Sequence, residues 1–211
     1  GIKEKKPRYV GLAAFVTDYN VVLDLAKRIK EEAGSKIIVG NAHPSVSPQD
    51  FLYEGSPFDL VVRGEGELTL KQVLEEYDEN KDNSRIKGIA YLHNGSVKIN
   101  ENREFMDLGE CGMPAYHMID MEWNAKPTKL IIRRLIVSTA VIQTSRGCPY
   151  NCGFCASNAV WKAMNKTPGS PPFVRKRPMA RVMEELRVLQ DKYHFDFFYI
   201  LDDTFGITEG D

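Results

Sequence analysis

The stretch Cys148-Pro-Tyr-Asn-Cys152-Gly-Phe-Cys155 places three cysteines at spacings of four and three residues. It follows the apolar run Ala140-Val-Ile-Gln-Thr144, which has the composition of a β-strand. Thiolates are soft ligands, and one short loop can fold three of them around an iron–sulfur cluster. Gly147 and Gly153 allow the backbone to approach a metal closely. This loop decides how the rest of the chain is interpreted.

The number of cysteines in the loop is informative. A structural metal site is usually closed by four protein ligands, whereas a catalytic site keeps one position open for substrate. The only other cysteine of the chain is Cys111, far upstream. The loop therefore predicts a 4Fe–4S cluster with one open iron. The alternatives are a zinc site completed by Cys111 or His117, and a disulfide pair.

The pattern C-x3-C-x-aromatic-C, with Phe154 as the aromatic residue, resembles the motif of the radical S-adenosylmethionine (SAM) enzymes. The resemblance implies that Cys148, Cys152 and Cys155 ligate the cluster and that SAM chelates the open iron through its amino and carboxylate groups. It implies that an electron from the cluster then cleaves SAM to methionine and a 5′-deoxyadenosyl radical. It also implies a backbone contact from Phe154 to the adenine.

Composition limits the classes of function. The chain has 211 residues, 43% of them hydrophobic, and a net charge of −1. These values are ordinary for a globular protein, and the balanced charge gives no reason to expect nucleic-acid binding. No apolar run reaches the ~18 residues of a membrane span. Three cysteines in one loop favour a metal in a reducing compartment over a disulfide framework, so the cytoplasm is the predicted location.

The N-terminal third alternates apolar strands with amphipathic helices. The predicted strands are residues 9–16, 36–40 and 58–63, and the predicted helices are residues 21–33, 49–54 and 68–77. This alternation predicts a parallel sheet with right-handed crossovers. In such sheets ligands bind at the carboxyl ends of the strands, where this chain has glycine turns.

The segments Gly40-Asn-Ala-His-Pro44 and Asp59-Leu-Val-Val-Arg-Gly-Glu-Gly-Glu67 resemble the cobalamin-binding domain that precedes the radical domain in one large subgroup of these enzymes. The family usually carries Gly-Gly where this chain has Gly40-Asn41. The resemblance implies cobalamin contacts from five turn residues, namely Gly40, Asn41, Gly64, Glu65 and Gly66. His43 is predicted as a hydrogen-bonded loop residue, with a position facing cobalt as the alternative. Glu65 and Glu67 are expected to favour the helix start through its dipole, with acid chemistry as the alternative.

The middle of the chain is interpreted as a linker. Asn94-Gly95 lies between residues 86–92 and 96–99 and predicts a β-hairpin. Met113-Pro-Ala-Tyr116 resembles the linker between the two domains of the same subgroup. Residues 126–136 predict an edge strand or hairpin that leads into a barrel.

The C-terminal third predicts a helix at residues 179–193 and a strand at 195–201, followed by Asp202-Asp203. In (β/α) barrels the chemistry lies at the carboxyl ends of the strands. Many radical SAM enzymes place Gly-Gly-Glu at this position to hold the SAM ammonium group. The resemblance implies this role for Asp202 or Asp203, with helix capping as the alternative. Arg175-Lys-Arg177 is expected to be a solvated surface, or else to contact the SAM carboxylate or a substrate phosphate.

Together these patterns predict an α/β chain that looks cut at both ends. Residues 1–80 would form part of a Rossmann-like cobalamin-binding parallel sheet, residues 81–136 a linker with a β-hairpin, and residues 137–211 the first strand–helix–strand of a radical SAM (β/α) barrel. The resemblance implies an enzyme with a 4Fe–4S cluster, SAM and cobalamin that transfers a methyl group to an unactivated carbon. Oxidative cyclisation, as in the anaerobic magnesium-protoporphyrin ester cyclase, and non-catalytic iron–sulfur electron transfer are the alternatives. The expected partners are a small-molecule substrate and an external electron donor of the flavodoxin or ferredoxin type.

Overall fold

A computed structural model describes residues 1–77, 83–126, 128–132, 135–165 and 174–206. The chain divides into two compact units. The first unit contains Gly1–Met106 and Asn151–Thr167, and the second contains Asp107–Tyr150 and Pro168–Asp211. The three-part division at residues 80 and 136 stays a prediction.

The elements alternate as the sequence predicts. The helices are α1 (Ile2–Lys5), α2 (Tyr19–Ala33), α3 (Ala42–Val46), α4 (Gly66–Glu76), α5 (Met121–Asn124), α6 (Ser157–Ala163) and α7 (Met179–Arg187). The strands are β1 (Tyr9–Ala13), β2 (Lys36–Gly40), β3 (Leu60–Val62), β4 (Ile89–His93), β5 (Ser96–Ile99), β6 (Thr128–Ile132), β7 (Leu135–Val137), β8 (Thr139–Ile142), β9 (Ser145–Arg146), β10 (Arg175–Lys176) and β11 (Phe197–Ile200). None of the described helices has the length and apolar character that crossing a bilayer requires.

The first unit contains a five-stranded sheet in the order β1-β2-β3-β4-β5. The first three strands are parallel, as predicted, and β4 and β5 are antiparallel. The predicted hairpin is confirmed, because Asn94 and Gly95 both adopt positive φ, 50° and 72°, between β4 and β5. This turn type matches the twist of the two strands it joins. The hairpin extends the parallel sheet instead of standing apart as a linker element.

Burial explains the parallel part of the sheet. Ile37, Val39 and Val61 have no exposed surface, as expected for strands covered on both faces. α2 packs Val22, Ala26 and Ile29 against this core at helical spacing. It ends at Gly34, which takes the left-handed conformation (φ 64°) that a C-terminal cap requires.

In the second unit, β8 and β11 form the parallel pair that the barrel prediction requires. α7, between them in sequence, buries Val182 against Ala140 and Ile142. The opposite face of β11 stays open, since Phe197 and Tyr199, which alternate with the packed Phe198, are each more than a third exposed. Residues 126–136 were predicted as an edge strand or hairpin, and the antiparallel pair of β6 and β7 agrees with the hairpin.

Several segments differ from expectation. The helix predicted at residues 49–54 is only a 3₁₀ turn at Pro48–Asp50, and the strand predicted at residues 9–16 ends at Ala13. Residues 42–46 form the short helix α3, where the sequence predicted a loop, because Asn41 at φ 91° caps it by accepting a hydrogen bond from the Ala42 amide. α7 ends at Arg187, and Val188–Lys192 continue as a π-helical turn instead of regular α-helix.

Candidate cofactor sites

The three cysteines of the loop differ in exposure. Cys148 and Cys155 are half-buried and Cys152 is exposed. These three and Cys111 are all free thiols. Within the described part of the chain, no group of three His, Cys, Asp or Glu side chains lies close enough to hold a metal ion. Three thiols suit an iron–sulfur cluster by their chemistry. To ligate one, the loop would have to bring these thiols together.

Hydrogen bonds from the loop backbone define a turn at Cys152. Its carbonyl accepts from the Cys155 amide at 3.1 Å and from the Asn158 side chain at 2.8 Å. α6 begins directly after this turn. Phe154, the predicted adenine-contacting residue, is 93% exposed. Its contact with adenine stays a prediction.

The segment that leads to Cys148 is fixed by Asp202. Asp202 Oδ1 accepts from the Thr144 amide at 2.7 Å, and Oδ2 accepts from the hydroxyls of Thr144 and Ser145. On the other side, the Arg177 amide donates to the Thr144 carbonyl at 2.8 Å. These bonds hold the end of β8 to the end of β11.

Cys148, the first cysteine of the loop, contacts the segment that follows β11. Cys148 Sγ lies 3.0 Å from the Thr204 hydroxyl. The predicted site residue Asp203 is exposed, and its carboxylate has no partner among the residues that the structure describes. Of the two aspartates, only Asp203 therefore has carboxylate oxygens that are free to accept hydrogen bonds from a ligand.

A cavity of about 350 Å³ adjoins Asp202 and Thr204 and extends along α7.

In the first unit, the two predicted cobalamin turns are joined by Ser45. Its hydroxyl donates to the Asn41 carbonyl at 2.6 Å and accepts from the Gly64 amide at 2.9 Å. Ser45 is 1% exposed. The carboxyl ends of β2 and β3 therefore converge, as the sheet topology predicted.

Arg63, at the end of β3, is buried and has no carboxylate partner in the described structure. Its guanidinium donates to the Ser45 carbonyl, to Asn102 Oδ1 and to the Ala163 carbonyl at 3.2, 2.9 and 3.2 Å. Burial lowers the pKa of Arg63. Two of its acceptors are carbonyls at the carboxyl ends of α3 and α6, where a cation is favoured. Arg63 thus fixes α6 to the turn at Gly64.

The other residues predicted to contact cobalamin have neighbouring atoms that limit how closely the cofactor could approach them. A Cβ built on Gly64 would lie 2.9 Å from Met164 Cε, so this methionine covers the turn. A Cβ on Gly40 would lie 3.3 Å from the Val62 carbonyl oxygen. Glu65 accepts a hydrogen bond from the Met106 amide, and Gly66 begins α4 with Glu67 in its first turn. The cobalamin contacts of these residues stay predictions.

His43 lies on α3, where a loop was expected. Its Nε2 pairs with Asp50 at 2.8 Å, and its ring packs edge-on against Phe51. The expected hydrogen-bonded role is thus observed, although on a helix.

Arg177 also differs from expectation, since it does not lie on a solvated surface. Its Nη2 lies 2.5 Å from Glu185, which is 2% exposed, and its Nη1 donates to the Gln143 carbonyl. Tyr116, in the predicted linker, donates its hydroxyl to the same carboxylate. Burial raises the pKa of Tyr116, and Glu185 raises it further.

Sequence reasoning missed Ser45, Arg63, Glu185 and Thr204. For Glu185 a signal existed, because it lies on the apolar stripe that runs from Val182 on α7 to Leu189 in the π-helical turn that follows. A charged residue on such a stripe indicates a buried pair. For the others no local pattern reveals the partner.

Comparison with known proteins agrees with both halves of this description. Residues 1–74 match the B12 binding domain family. The uncharacterized methyltransferase PH0819 of Pyrococcus horikoshii is 30% identical over 99% of this chain and 42% of its own length. The anaerobic magnesium-protoporphyrin IX monomethyl ester cyclase of Cereibacter sphaeroides is 23% identical over 96% of the chain and 31% of its own length. The chain thus spans less than half of these relatives.

Two solved structures share the fold. The cobalamin-dependent SAM radical enzyme OxsB, with aqua-cobalamin and SAM bound, has a TM-score of 0.65 at 21% identity over 97% of this chain and 26% of its own. The radical SAM methyltransferase TsrM from Kitasatospora setae, with cobalamin and a [4Fe-4S] cluster bound, has a TM-score of 0.65 at 15% identity over 93% of this chain and 38% of its own. The predicted α/β fold class is confirmed, and these matches agree with the predicted resemblance to the cobalamin-binding radical SAM enzymes.

Proposed function

We propose that this chain carries the cluster loop and the cobalamin-binding domain of an enzyme that transfers a methyl group to an unactivated carbon. The chain is related in sequence and fold to the cobalamin-binding radical SAM enzymes. One observation carries the proposal. The second unit brings Cys148 to the carboxyl end of β11, where Thr204 and the Asp202-Asp203 pair lie. In (β/α) barrels this edge holds the reacting groups.

Cys148, Cys152 and Cys155 would ligate a 4Fe–4S cluster. The cluster and SAM together supply one-electron chemistry when bound, and cobalamin supplies methyl transfer. The solved relatives that hold these groups support the same cofactors here.

The residues of the chain would position these cofactors. Asp203, exposed and without a partner among the described residues, would accept hydrogen bonds from the SAM ammonium group. Asp202 would instead act through Thr144 and Ser145 by fixing the strand that leads to Cys148.

Cobalamin would lie over the carboxyl edge of the first sheet, near Gly40, Asn41 and Gly66. Phe15 and Val16, which follow β1 at this edge, are 51% and 73% exposed. Exposed apolar side chains beside a glycine turn suit a large cofactor with an apolar face. Met164 covers Gly64 in the structure and would have to move for cobalamin to touch that residue.

The test is anaerobic reconstitution with iron and sulfide, followed by electron paramagnetic resonance of the reduced protein with and without SAM. We expect a 4Fe–4S signal that changes when SAM is added. Cys148→Ala, Cys152→Ala and Cys155→Ala should each lose the cluster, whereas the control Cys111→Ala should keep it. Asp203→Asn should keep the cluster and weaken its response to SAM.

The outcomes separate the alternatives. A cluster that does not respond to SAM would support an electron-transfer module, and loss of the cluster in Cys111→Ala would support a closed site. Incubation with SAM, cobalamin, a flavodoxin- or ferredoxin-type donor and a panel of candidate small-molecule substrates then distinguishes methylated from cyclised products. The cyclase relative makes cyclisation the second candidate. The substrate is expected to be a small molecule, and the cytoplasm remains the predicted location because the thiols must stay reduced.

A further inference from the structure

We propose that Thr204 donates a hydrogen bond to the Cys148 sulfur when that cysteine ligates iron, and that this bond raises the reduction potential of the cluster. The inference rests on the proposed function, because it concerns the same cluster. Thr204 would be a positioning and tuning residue that touches a ligand, and it lies outside the three-cysteine motif.

The direction of the bond follows from the chemistry of the two groups. Cys148 Sγ and Thr204 Oγ1 are 3.0 Å apart, and in the free thiol either atom could donate. A cysteine that ligates iron is a thiolate and carries no proton. The Thr204 hydroxyl is then the donor that remains, and the sulfur can only accept.

The contact is held by hydrogen bonds on both sides. On one side, Leu201 donates its amide to the Ile142 carbonyl at 2.8 Å, which continues the β8–β11 pairing. On the other, Ser145 donates to Asp202, two residues before Thr204, and pairs with Lys176 across β9 and β10. The position of Thr204 beside Cys148 therefore follows from the strand pairing together with the bond between the Ser145 hydroxyl and the Asp202 carboxylate.

A donor at this position favours the reduced cluster. Reduction adds one electron, and part of the added charge falls on the ligating sulfurs. Hydrogen bonds to the sulfurs are a recognised determinant of cluster potential, because they stabilise the more negative state. Removal of the Thr204 hydroxyl should therefore lower the potential.

The test is a redox titration of the reconstituted cluster, followed by electron paramagnetic resonance, in wild type, Thr204→Val and Thr204→Ser. Valine keeps the shape of threonine without the hydroxyl, and serine keeps the hydroxyl. At a fixed potential, the ratio of reduced to oxidised cluster should fall about threefold to tenfold in Thr204→Val, where tenfold corresponds to about 59 mV for one electron. Thr204→Ser should match wild type. Equal iron and sulfide contents establish that all three proteins carry the cluster.

Several outcomes decide the matter. A wild-type potential in a fully loaded Thr204→Val overturns the inference and leaves the proposed function intact. A wild-type protein that binds no cluster overturns both. Thr204→Ala repeats the test with a smaller side chain in case valine disturbs the loop, and a wild-type potential in it also overturns the inference.

Discussion

Asp202 accepts hydrogen bonds from the backbone amide and the hydroxyl of Thr144, a residue 58 positions earlier in the chain. Its neighbour Asp203 is exposed and has no partner among the described residues. Adjacent carboxylates with the same chemistry therefore have different environments. One joins two strands, and the other is available to a ligand.

This difference predicts unequal losses of stability from two matched substitutions. Asp202→Asn replaces one acceptor oxygen with an NH2 group, which cannot accept from the Thr144 and Ser145 hydroxyls. It should lower the free energy of unfolding by about 1–3 kcal/mol. Asp203→Asn, on the exposed neighbour, should change it by less than about 0.5 kcal/mol. Urea denaturation followed by circular dichroism measures both, and equal losses would contradict the assignment.

Arg63 offers a second prediction. Arg63→Met leaves the Ser45 and Ala163 carbonyls and the Asn102 side chain without this donor, so we expect a loss of about 1–3 kcal/mol. Arg63→Lys should recover little of it, because an ammonium group cannot reproduce the guanidinium fork. Chemical denaturation measures the loss. Limited proteolysis within residues 157–165 reports whether α6 has detached, and full stability of Arg63→Lys would show that charge alone matters.

The raised pKa of Tyr116 predicts how stability depends on alkaline pH. Below the unfolded pKa of about 10, tyrosine keeps its proton in both states, so its full contribution is present. As pH rises above about 10 toward the folded pKa, only the unfolded state loses the proton, and stability falls. Tyr116→Phe should remove this part of the slope. At neutral pH it should cost about 1.5–3 kcal/mol, because a hydrogen bond to a charged group is lost.

The control for that experiment is Tyr199→Phe, which removes an exposed hydroxyl from β11. Its stability profile from pH 8 to 11 should match wild type. If Tyr116→Phe leaves the alkaline slope unchanged, the half-buried Tyr116 hydroxyl does not cause the loss of stability at high pH.

Substitutions at Gly64 and Gly34 distinguish the cost of backbone strain from the cost of a steric contact. Both have positive φ, 73° and 64°, but only Gly64 has neighbouring atoms where a Cβ would lie. Gly34→Ala should cost about 1 kcal/mol from backbone strain alone. Gly64→Ala should cost more, because Met164 must also shift. Thermal unfolding of the two variants gives the comparison, and equal melting temperatures would mean that Met164 yields freely.

The parts of the fold that were predicted from sequence depend on local signals. β2 agrees with its predicted bounds because an apolar run ends at Gly40, and the hairpin agrees because Asn94-Gly95 requires positive φ at both residues. α3 was not predicted because five residues with a proline have weak helical periodicity, and the Asn41 side chain supplies the cap. The association of β4 and β5 with the parallel sheet depends on tertiary pairing that no local pattern reveals.

The candidate site divides in the same way. The role of the three cysteines as cluster ligands is a prediction that rests on their spacing within eight residues. The residues that surround them could not be predicted, since Thr144 and Asp202 meet across 58 residues and Arg63 reaches Ala163 across 100. The contact between Thr144 and Asp202 decides which of the two adjacent aspartates keeps an exposed carboxylate. The sequence alone therefore left Asp202 and Asp203 as equal candidates.

The open face of β11 has a consequence for biosynthesis. Phe197–Ile200 together with Leu201 form an uncharged run of five apolar residues, and their parallel partner β8 precedes them by an entire crossover. Pairing at such sequence distance is slow, so newly made chains carry this run unprotected before the strands meet. Runs of this composition self-associate through strand edges. We expect the yield of native protein to fall as the rate of synthesis rises and to recover with chaperone overexpression, whereas Tyr199→Lys, on the exposed face, should lessen that dependence.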